Sequence, residues 1–324
     1  MSKKKNALIV TEDLSDIFNG RIANPERKVV EFTVLKALEI VITQMEATGL
    51  RERTISDYEM HVKHFVEITE IHALTDVSAE YVYEWLGSMK VANQTKLTRL
   101  KCLKAFFERC TENGWLTERF WRSIKIKVDT PVKEGAAEKD VMLLLSMLDL
   151  TDFVQLRDAV AILTLHQTGI RLGTVSQLRN KHVDLDKQLL RIDGGLIKNH
   201  DALLLPFDDV LARLYKVLLA QNDAVRKLNC VRNDFVFVTQ TGTQVAAHKT
   251  NHTLAKRINQ YKRQYGLKNM APHALRRGFA KRLYDQGAHI AVISKALGHS
   301  DLAVTSRYLH LETEEVADAL RKHL

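Results

Sequence analysis

One short stretch divides this sequence into two parts. Residues 129–137, DTPVKEGAA, combine proline, glycine, small residues and charges between two long runs of helical apolar periodicity. A chain of 324 residues is also long enough to form two hydrophobic cores. We therefore predict two domains joined by a linker. The predicted boundaries are an N-terminal arm over 1–27, a helical domain over 28–128, a linker over 129–140 and a second domain over 141–324.

The first domain shows apolar residues at helix spacing. Val34, Leu38 and Val41 recur three or four residues apart. The segment 96–110 repeats that spacing, with lysines and arginines on its other faces. This pattern predicts a compact bundle of four or five helices.

The second domain mixes helices with a short region of alternating residues. The buried-looking run AVAILTL predicts a helix over 158–166 that is ended by Gly169, with Arg171 at the turn before the next helix. Downstream, VDLDKQLLRIDGGLIKNHDALLLPF alternates apolar residues between two turn signals, which predicts a three-stranded antiparallel sheet with Lys198 at its second turn. The predicted fold class is mainly α with a small antiparallel sheet.

The segment that begins at Pro272 has several polar residues next to helix ends. Pro272 suits the first turn of a helix, and His273 and Arg276 then lie one turn apart on one face. Exposed N–H groups at such a helix start favour an anion such as phosphate. Gly298 can end a helix, and the next helix carries Tyr308 near its end. Taken singly, a histidine in a basic helix or a tyrosine near a C-terminus usually has only a structural role.

The order of the polar residues along the chain is more informative than any one of them. In sequence order the set is Arg171, Lys198, His273-x-x-Arg276, His299 and Tyr308. This set resembles the active site of the tyrosine recombinase (phage integrase) family, in which Arg, Lys, His-x-x-Arg, His or Trp, and Tyr follow in that order. The resemblance covers roughly residues 50–324. It implies the two-domain fold of that family, a helical core-binding domain followed by a catalytic-type domain.

The resemblance also implies a mechanism. Tyr308 would attack a DNA phosphate and form a 3′-phosphotyrosyl link, so that neither a metal nor another cofactor would be required. The two arginines would clamp the scissile phosphate, and His299 would hold another of its oxygens. Lys198 would protonate the departing 5′-oxygen, and His273 would handle the proton of the tyrosine.

The distribution of charge favours a polyanionic partner. The net charge is +9 at pH 7. Residues 131–324 contain 28 lysines and arginines against 20 acidic residues, and the segment 90–127 contains 10 against 3. Two basic surfaces facing one duplex would produce this distribution, so we predict double-stranded DNA as the partner. The residues predicted to contact DNA are Lys96, Arg99, Lys101, Lys104 and Arg277, and a solvated helix face is the alternative for the first four.

Two positions depart from the family pattern. Thr174 stands where an acidic residue is usual, and Arg277 stands where histidine is common. Both changes alter the surroundings that orient the arginines, and small misplacements can cost roughly 100-fold in rate. The whole sequence also resembles the recombinase-fold repressors of SPβ-type temperate phages, which regulate genes by binding operators. We predict a sequence-specific repressor that maintains lysogeny, with weak or no strand cleavage. The filled active-site set leaves open the alternative of an active site-specific recombinase.

The sequence contains no motif that would indicate another functional class. The 3 cysteines and 13 histidines lack the spacing of a disulfide framework or a metal site, and there is no P-loop. No apolar run approaches the roughly 20 residues of a membrane span, and the N-terminus lacks a signal-peptide core. We expect a cytoplasmic, nucleoid-associated protein of a bacterial host, with no cofactor and no small-molecule substrate. Val316, Leu320 and Leu324 form an apolar stripe, and the resemblance implies self-association on DNA through this C-terminal helix.

Overall fold

A computed structural model describes residues 32–129, 133–196, 202–245, 247–248, 251–299, 301–309 and 321. Contacts divide the chain into two compact units, Met1–Thr130 and Pro131–Leu324. The predicted N-terminal arm, residues 1–27, lies outside the described residues. The apolar stripe of Val316, Leu320 and Leu324 also lies outside them.

The described part of the first unit is a bundle of four helices. They are α1 Val34–Ala47, α2 Glu52–Thr69, α3 Ala79–Ser88 and α4 Asn93–Glu112, with short 3-10 turns at Leu74–Asp76 and Phe120–Ser123. Apolar residues at helix spacing bury one face of each helix, and Val34, Leu38 and Val41 do so on α1. Thr33 begins α1 because its hydroxyl accepts the N–H of Lys36 at 3.1 Å. The predicted helical bundle is confirmed.

Aromatic rings fill the core of this unit. Phe65 lies between Trp85 and Phe107, with ring centroids 5.8 and 5.9 Å away in edge-to-face geometry. Trp85 is fully buried, and its indole N–H donates to Nδ1 of His64 at 2.8 Å. Burial of each such ring contributes about 1.5–3 kcal/mol. The three rings therefore fix how α2, α3 and α4 pack together.

The second unit is built around a helix that is buried on all sides. Its helices are α5 Glu138–Ser146, α6 Phe153–Thr168, α7 Leu172–Val175, α8 Asp209–Leu228, α9 Thr253–Gln264, α10 Pro272–Asp285, α11 Ile290–Ala296 and α12 Leu302–Leu309. Every residue of α6 from Leu156 to His166 is buried. A helix without a solvated face needs neighbours all round, and α5, α8, α9 and α10 pack against it.

A small antiparallel sheet follows α7. Its strands, β1 Val183–Asp184, β2 Leu189–Ile192 and β3 Leu203–Pro206, lie side by side in sequence order, and Leu190 pairs with Leu205. On β3, Leu203 and Leu205 are buried whereas Leu204 is exposed, as the alternation of a strand requires. The predicted three-stranded sheet is confirmed. The sequence pattern does not predict a further strand pair, β4 Ala247–His248 and β5 Asn251–His252.

The segment before α5 packs closely on α10. The N–H of Ala136 donates to the carbonyl oxygen of Ala274 at 2.8 Å. A Cβ atom on Gly278 would overlap the carbonyl oxygen of Ala136. Because only glycine permits this approach, Gly278 helps to fix the position of α10, the helix that carries two of the predicted site residues.

A buried ionic network joins α6 to α9. Asp158 is 1% exposed, and its Oδ1 accepts from Nη2 of Arg157 at 2.7 Å. Its Oδ2 accepts from Nε of Arg257 at 2.8 Å and from the hydroxyl of Tyr261 at 2.9 Å. One carboxylate thus serves two guanidiniums, and this pairing offsets the cost of burying the charges.

Candidate functional site

Arg276 is almost completely buried and connects several parts of the second unit. It lies one turn into α10, which begins at Pro272 as the sequence predicts. Its Nη1 donates to the carbonyl oxygen of Gly169 at 2.6 Å, and its Nη2 donates to that of Leu297 at 2.6 Å. Nη2 also lies 2.8 Å from Nε2 of His299. The guanidinium therefore joins the end of α6 to the segment that follows α11.

Arg171 approaches the same segment from the turn after α6. Gly169 ends α6 in the left-handed conformation, with φ of 63°, and the half-buried Arg171 immediately precedes α7. Both terminal nitrogens of Arg171 lie 3.4 Å from the carbonyl oxygen of Gly298, which is long for an N–H···O bond. The hydroxyl oxygen of Thr174, where the resemblance expects an acidic residue, lies 3.5 Å from the carbonyl oxygen of Leu196, which is also long for a hydrogen bond. Within the part of the chain that the structure describes, Gly298 is the one hydrogen-bond partner of the Arg171 side chain, whose main-chain oxygen accepts from the N–H groups of Thr174 and Val175.

The two histidines of the site lie in positive surroundings. Burial, followed by the charges of Arg276 and Arg171, lowers the pKa of His299 to about 4. His273 lies in the first turn of α10 and is exposed. Packing against part of its ring, followed by the charge of Arg276, lowers its pKa as well. Neutral histidines beside two guanidiniums leave a net positive site, which would stabilise an anion.

The converging arginines match the chemistry of a phosphate group. A guanidinium donates through a planar fork, and this geometry suits the oxygens of a phosphate. Arg171 and Arg276 both reach the three residues Leu297–His299, so one anion beside that segment could contact both. The sequence and the structure agree in assembling three of the predicted residues at one place.

The sequence matches the phage integrase family over residues 137–315, which is more than half of the chain. The chain belongs to the phage integrase family. The resemblance inferred from the ordered residues is therefore confirmed, together with the mainly α fold class. Relatives and solved structures of similar proteins align over most of this chain at low sequence identity.

A relative named tyrosine recombinase XerD from Chlamydia pneumoniae is 28% identical over 289 residues, which cover 85% of this chain and 90% of that protein. A solved structure of the Tn1549 transposon integrase in complex with a circular intermediate DNA aligns with a TM-score of 0.70 and 16% identity, over 90% of this chain and 99% of that one. XerH bound to its difH substrate aligns with a TM-score of 0.63 and 21% identity, over 87% and 83%. These two structures share the fold of this chain.

The side chains of two residues of the integrase-family set lie outside the described part of the chain. Lys198 lies outside the described residues. Tyr308 belongs to α12, in the same unit as the arginines, and its side chain lies outside the described part of the chain. The roles of both residues stay predictions.

The predicted DNA-contacting residues of α4 differ in their surroundings. Nζ of Lys96 donates to a carbonyl oxygen in α3 at 2.7 Å, and Nζ of Lys104 donates to the carbonyl oxygen of Ile124 at 2.6 Å. Burial lowers the pKa of Lys104. Lys101 is exposed and Arg99 is half-buried. Because an ammonium has three N–H donors, these bonds are compatible with phosphate contacts, which stay a prediction.

Arg277 is the fifth predicted DNA contact. Its Nε donates to the carbonyl oxygen of Glu134 at 3.0 Å, next to the close approach of Gly278 and Ala136. Arg277 therefore helps to hold the segment before α5 on α10. Contact with DNA stays a prediction for this residue.

Thr305 belongs to the site although the sequence analysis missed it. It is fully buried on α12, and its hydroxyl oxygen lies 2.8 Å from Nδ1 of His299. Thr305 precedes Tyr308 by three residues, which is about one turn of the same helix. The spacing of three residues from Tyr308 is visible in the sequence. A single threonine is not a recognisable motif, however, so the spacing alone does not indicate a role.

Two kinds of feature are absent from the described residues. They contain no group of three or more His, Cys, Asp or Glu that could hold a metal ion. None of the described helices has the length and apolarity to cross a membrane.

Proposed function

We propose that this protein binds double-stranded DNA sequence-specifically and that Arg171, Arg276 and His299 take one backbone phosphate. The observation that carries the proposal is the convergence of two guanidiniums on the single segment Leu297–His299. The positive N-terminus of α10, with His273 in its first turn, would add to the attraction for an anion. Solved relatives of the same fold, the Tn1549 integrase and XerH, were captured with DNA, which supports the same partner here.

We further propose that the protein is a temperate-phage repressor that maintains lysogeny, with weak or no strand cleavage. The support comes from the surroundings of Arg171. Its contacts with the carbonyl oxygen of Gly298 are long, at 3.4 Å, and the nearby Thr174 hydroxyl faces the carbonyl oxygen of Leu196. Catalysis depends on sub-ångström alignment of the arginines, whereas phosphate binding tolerates a looser fork. A DNA partner would associate the protein with the bacterial nucleoid.

A second candidate function is site-specific recombination through a 3′-phosphotyrosyl intermediate. Three observations favour it. All six residue types of the family set are present in order, and Tyr308 lies on a helix of the same unit as the arginines. A relative that covers most of this chain is named tyrosine recombinase XerD.

DNA binding is tested first. Genomic fragments of the phage and its host are incubated with the purified full-length chain, and the bound fragments are sequenced and footprinted. Arg276→Ala should weaken binding to the selected site at least tenfold, because it removes a charge-assisted fork. Arg213→Ala removes the same charge from an exposed position on α8 and should leave affinity within about twofold. Equal affinities of the two variants, or no selected site at all, would contradict the proposal.

Strand cleavage then separates the two functions. The selected site is presented as a nicked suicide substrate, and adducts that resist SDS are measured for the wild type and for Tyr308→Phe. A repressor predicts no adduct, with operator binding and repression of a reporter retained in Tyr308→Phe. An adduct that appears in the wild type and not in Tyr308→Phe would establish the recombinase instead.

Self-association on DNA is proposed for the C-terminal stripe. A groove of about 710 Å³ opens between β3, α10 and α11. It is lined mainly by apolar residues, together with the charged residues Arg282 and Lys295. The stripe Val316, Leu320 and Leu324 of a second copy would bury its apolar face there. Analytical ultracentrifugation with and without the selected DNA should give a dimer on DNA for the full chain and a monomer after removal of residues 313–324. Unchanged assembly after the truncation would exclude this role.

A further inference from the structure

We propose that Thr305 is a positioning residue, whose hydroxyl accepts the Nδ1 proton of the neutral His299 ring and so keeps the lone pair of Nε2 turned towards Arg276. Only the part that concerns DNA affinity rests on the proposed function. The assignment follows from two contacts of the histidine ring, with Nε2 2.8 Å from Nη2 of Arg276 and Nδ1 2.8 Å from Oγ1 of Thr305.

The contact with Arg276 decides which ring nitrogen holds the proton. A guanidinium nitrogen can only donate a hydrogen bond, so Nε2 of His299 must accept. In a neutral imidazole the proton is then on Nδ1, which donates to the hydroxyl oxygen of Thr305. The opposite form, with the proton on Nε2, would bring two donors to within 2.8 Å of each other.

A charged imidazole does not fit this position either. It would place an N–H against the guanidinium of Arg276 and add a positive charge beside Arg171. The pKa of His299 agrees, because burial, followed by these two arginines, lowers it to about 4. The ring is therefore a neutral acceptor at pH 7. The ring supports Arg276, and the role of phosphate donor predicted from the resemblance would require the ring to change partners.

Thr305 is suited to hold the ring because it cannot easily move. Its side chain is completely buried, and a branched side chain on a helix has few rotamers. Thr305 also links the ring to α12, the helix that carries Tyr308 one turn later. A chain of contacts therefore runs from α12 through Thr305 and His299 to Arg276.

The first experiment reads the protonation form directly. The full-length chain is labelled with ¹⁵N-histidine, and long-range ¹H–¹⁵N spectra assign His299 by comparison with His299→Gln. The expected spectrum is that of a neutral ring with the proton on Nδ1 at pH 7. A proton on Nε2, or a charged ring at pH 7, would overturn the proposal without any variant of Thr305.

The second experiment tests the hydroxyl. Thr305→Val keeps the shape of the side chain and removes the hydrogen bond, whereas Thr305→Ser keeps the hydroxyl. In the valine variant the Nδ1–H of His299 loses its acceptor, so the ring resonances should shift and the selected DNA should bind roughly threefold to tenfold more weakly, whereas the serine variant should match the wild type in both. An unchanged His299 spectrum in Thr305→Val would overturn the proposal. If the valine variant fails to fold, a serine variant whose His299 ring carries no proton on Nδ1 would overturn the proposal.

The proposed function and the role of Thr305 can be disproved separately. If the wild type binds no DNA, the proposed function is wrong, and the histidine spectra still decide the role of Thr305. If DNA binds but the ring carries its proton on Nε2, the proposed function stands and the role of Thr305 is wrong.

Discussion

Nη1 of Arg276 lies 2.6 Å from the carbonyl oxygen of Gly169. Gly169 is the residue at which the buried helix α6 ends, and the carbonyls at a helix end have no partner within the helix. One guanidinium therefore satisfies the end of the central helix and also belongs to the proposed phosphate site. Stability and the proposed phosphate binding are therefore coupled at this residue.

Arg276→Lys is expected to separate charge from geometry. Lysine keeps the positive charge, but a single ammonium cannot reach both the Gly169 and the Leu297 oxygens, which Arg276 contacts through different nitrogens. We expect the free energy of unfolding to fall by about 1–3 kcal/mol, because a buried acceptor loses its donor. This change is measured by urea unfolding, with circular dichroism as the readout. Arg213→Lys, at an exposed position, should stay within about 0.5 kcal/mol, and equal losses in the two variants would contradict the coupling.

Much of the fold could be predicted because apolar periodicity records burial. The stripe on α1 and the alternation on β3 both appear in the structure. Helix α6 is longer than the predicted 158–166, since Asp152 caps its start by accepting the N–H of Gln155 at 2.8 Å. The short pair β4–β5 has only two residues per strand, which is too few to produce a recognisable alternation.

The residue types of the candidate site could be predicted from the sequence, but the hydrogen-bond partners of those residues could not. Arg171, Arg276 and His299 were found from their order along the chain. Two of the groups that hold Arg276 are main-chain oxygens, and a sequence gives no sign of which carbonyl a distant side chain will reach. Thr305 was missed for a related reason, since its role depends on burial against His299 and not on a motif.

Gly278→Ala should loosen the segment before α5 from α10. The added methyl group would overlap the carbonyl oxygen of Ala136, so the segment or the helix must shift. We expect a destabilisation of about 1–3 kcal/mol and weaker DNA binding, because α10 carries Arg276. Gly173→Ala is the matched control, since a Cβ there meets nothing within 4 Å and α7 is helical. A Gly278→Ala protein as stable as Gly173→Ala in thermal unfolding would show that the close approach is not required.

Asp158→Asn tests the buried network between α6 and α9. The change keeps the size of the side chain but removes the charge that Arg157 and Arg257 share. Breaking a buried ion pair on one side costs about 3–5 kcal/mol, so the unfolding midpoint in urea should fall strongly. Asp186→Asn, at an exposed position, should change stability by less than about 0.5 kcal/mol. Similar midpoints for both variants would mean that the arginines find other partners.

His166 should make the stability of the second unit depend on pH. Its Nε2 lies 2.5 Å from Nη1 of Arg282, and burial, followed by the charge of Arg282, lowers its pKa to about 4 from an ordinary value of 6.5. Because the folded pKa is the lower one, the unfolded chain takes up the proton first as the pH falls. The stabilisation is therefore present above pH 6.5 and is lost as the pH falls towards about 4, by up to about 3 kcal/mol.

The measurement is the free energy of unfolding in urea between pH 4 and pH 7, for the wild type and for His166→Gln. Glutamine can still accept from Arg282 but does not titrate, so the acid limb of its stability curve should be flatter than that of the wild type. His72→Gln removes an exposed histidine and should leave the acid limb unchanged. Parallel curves for the wild type and His166→Gln would show that protonation of His166 is not coupled to unfolding, and the acid sensitivity would then have to come from other groups.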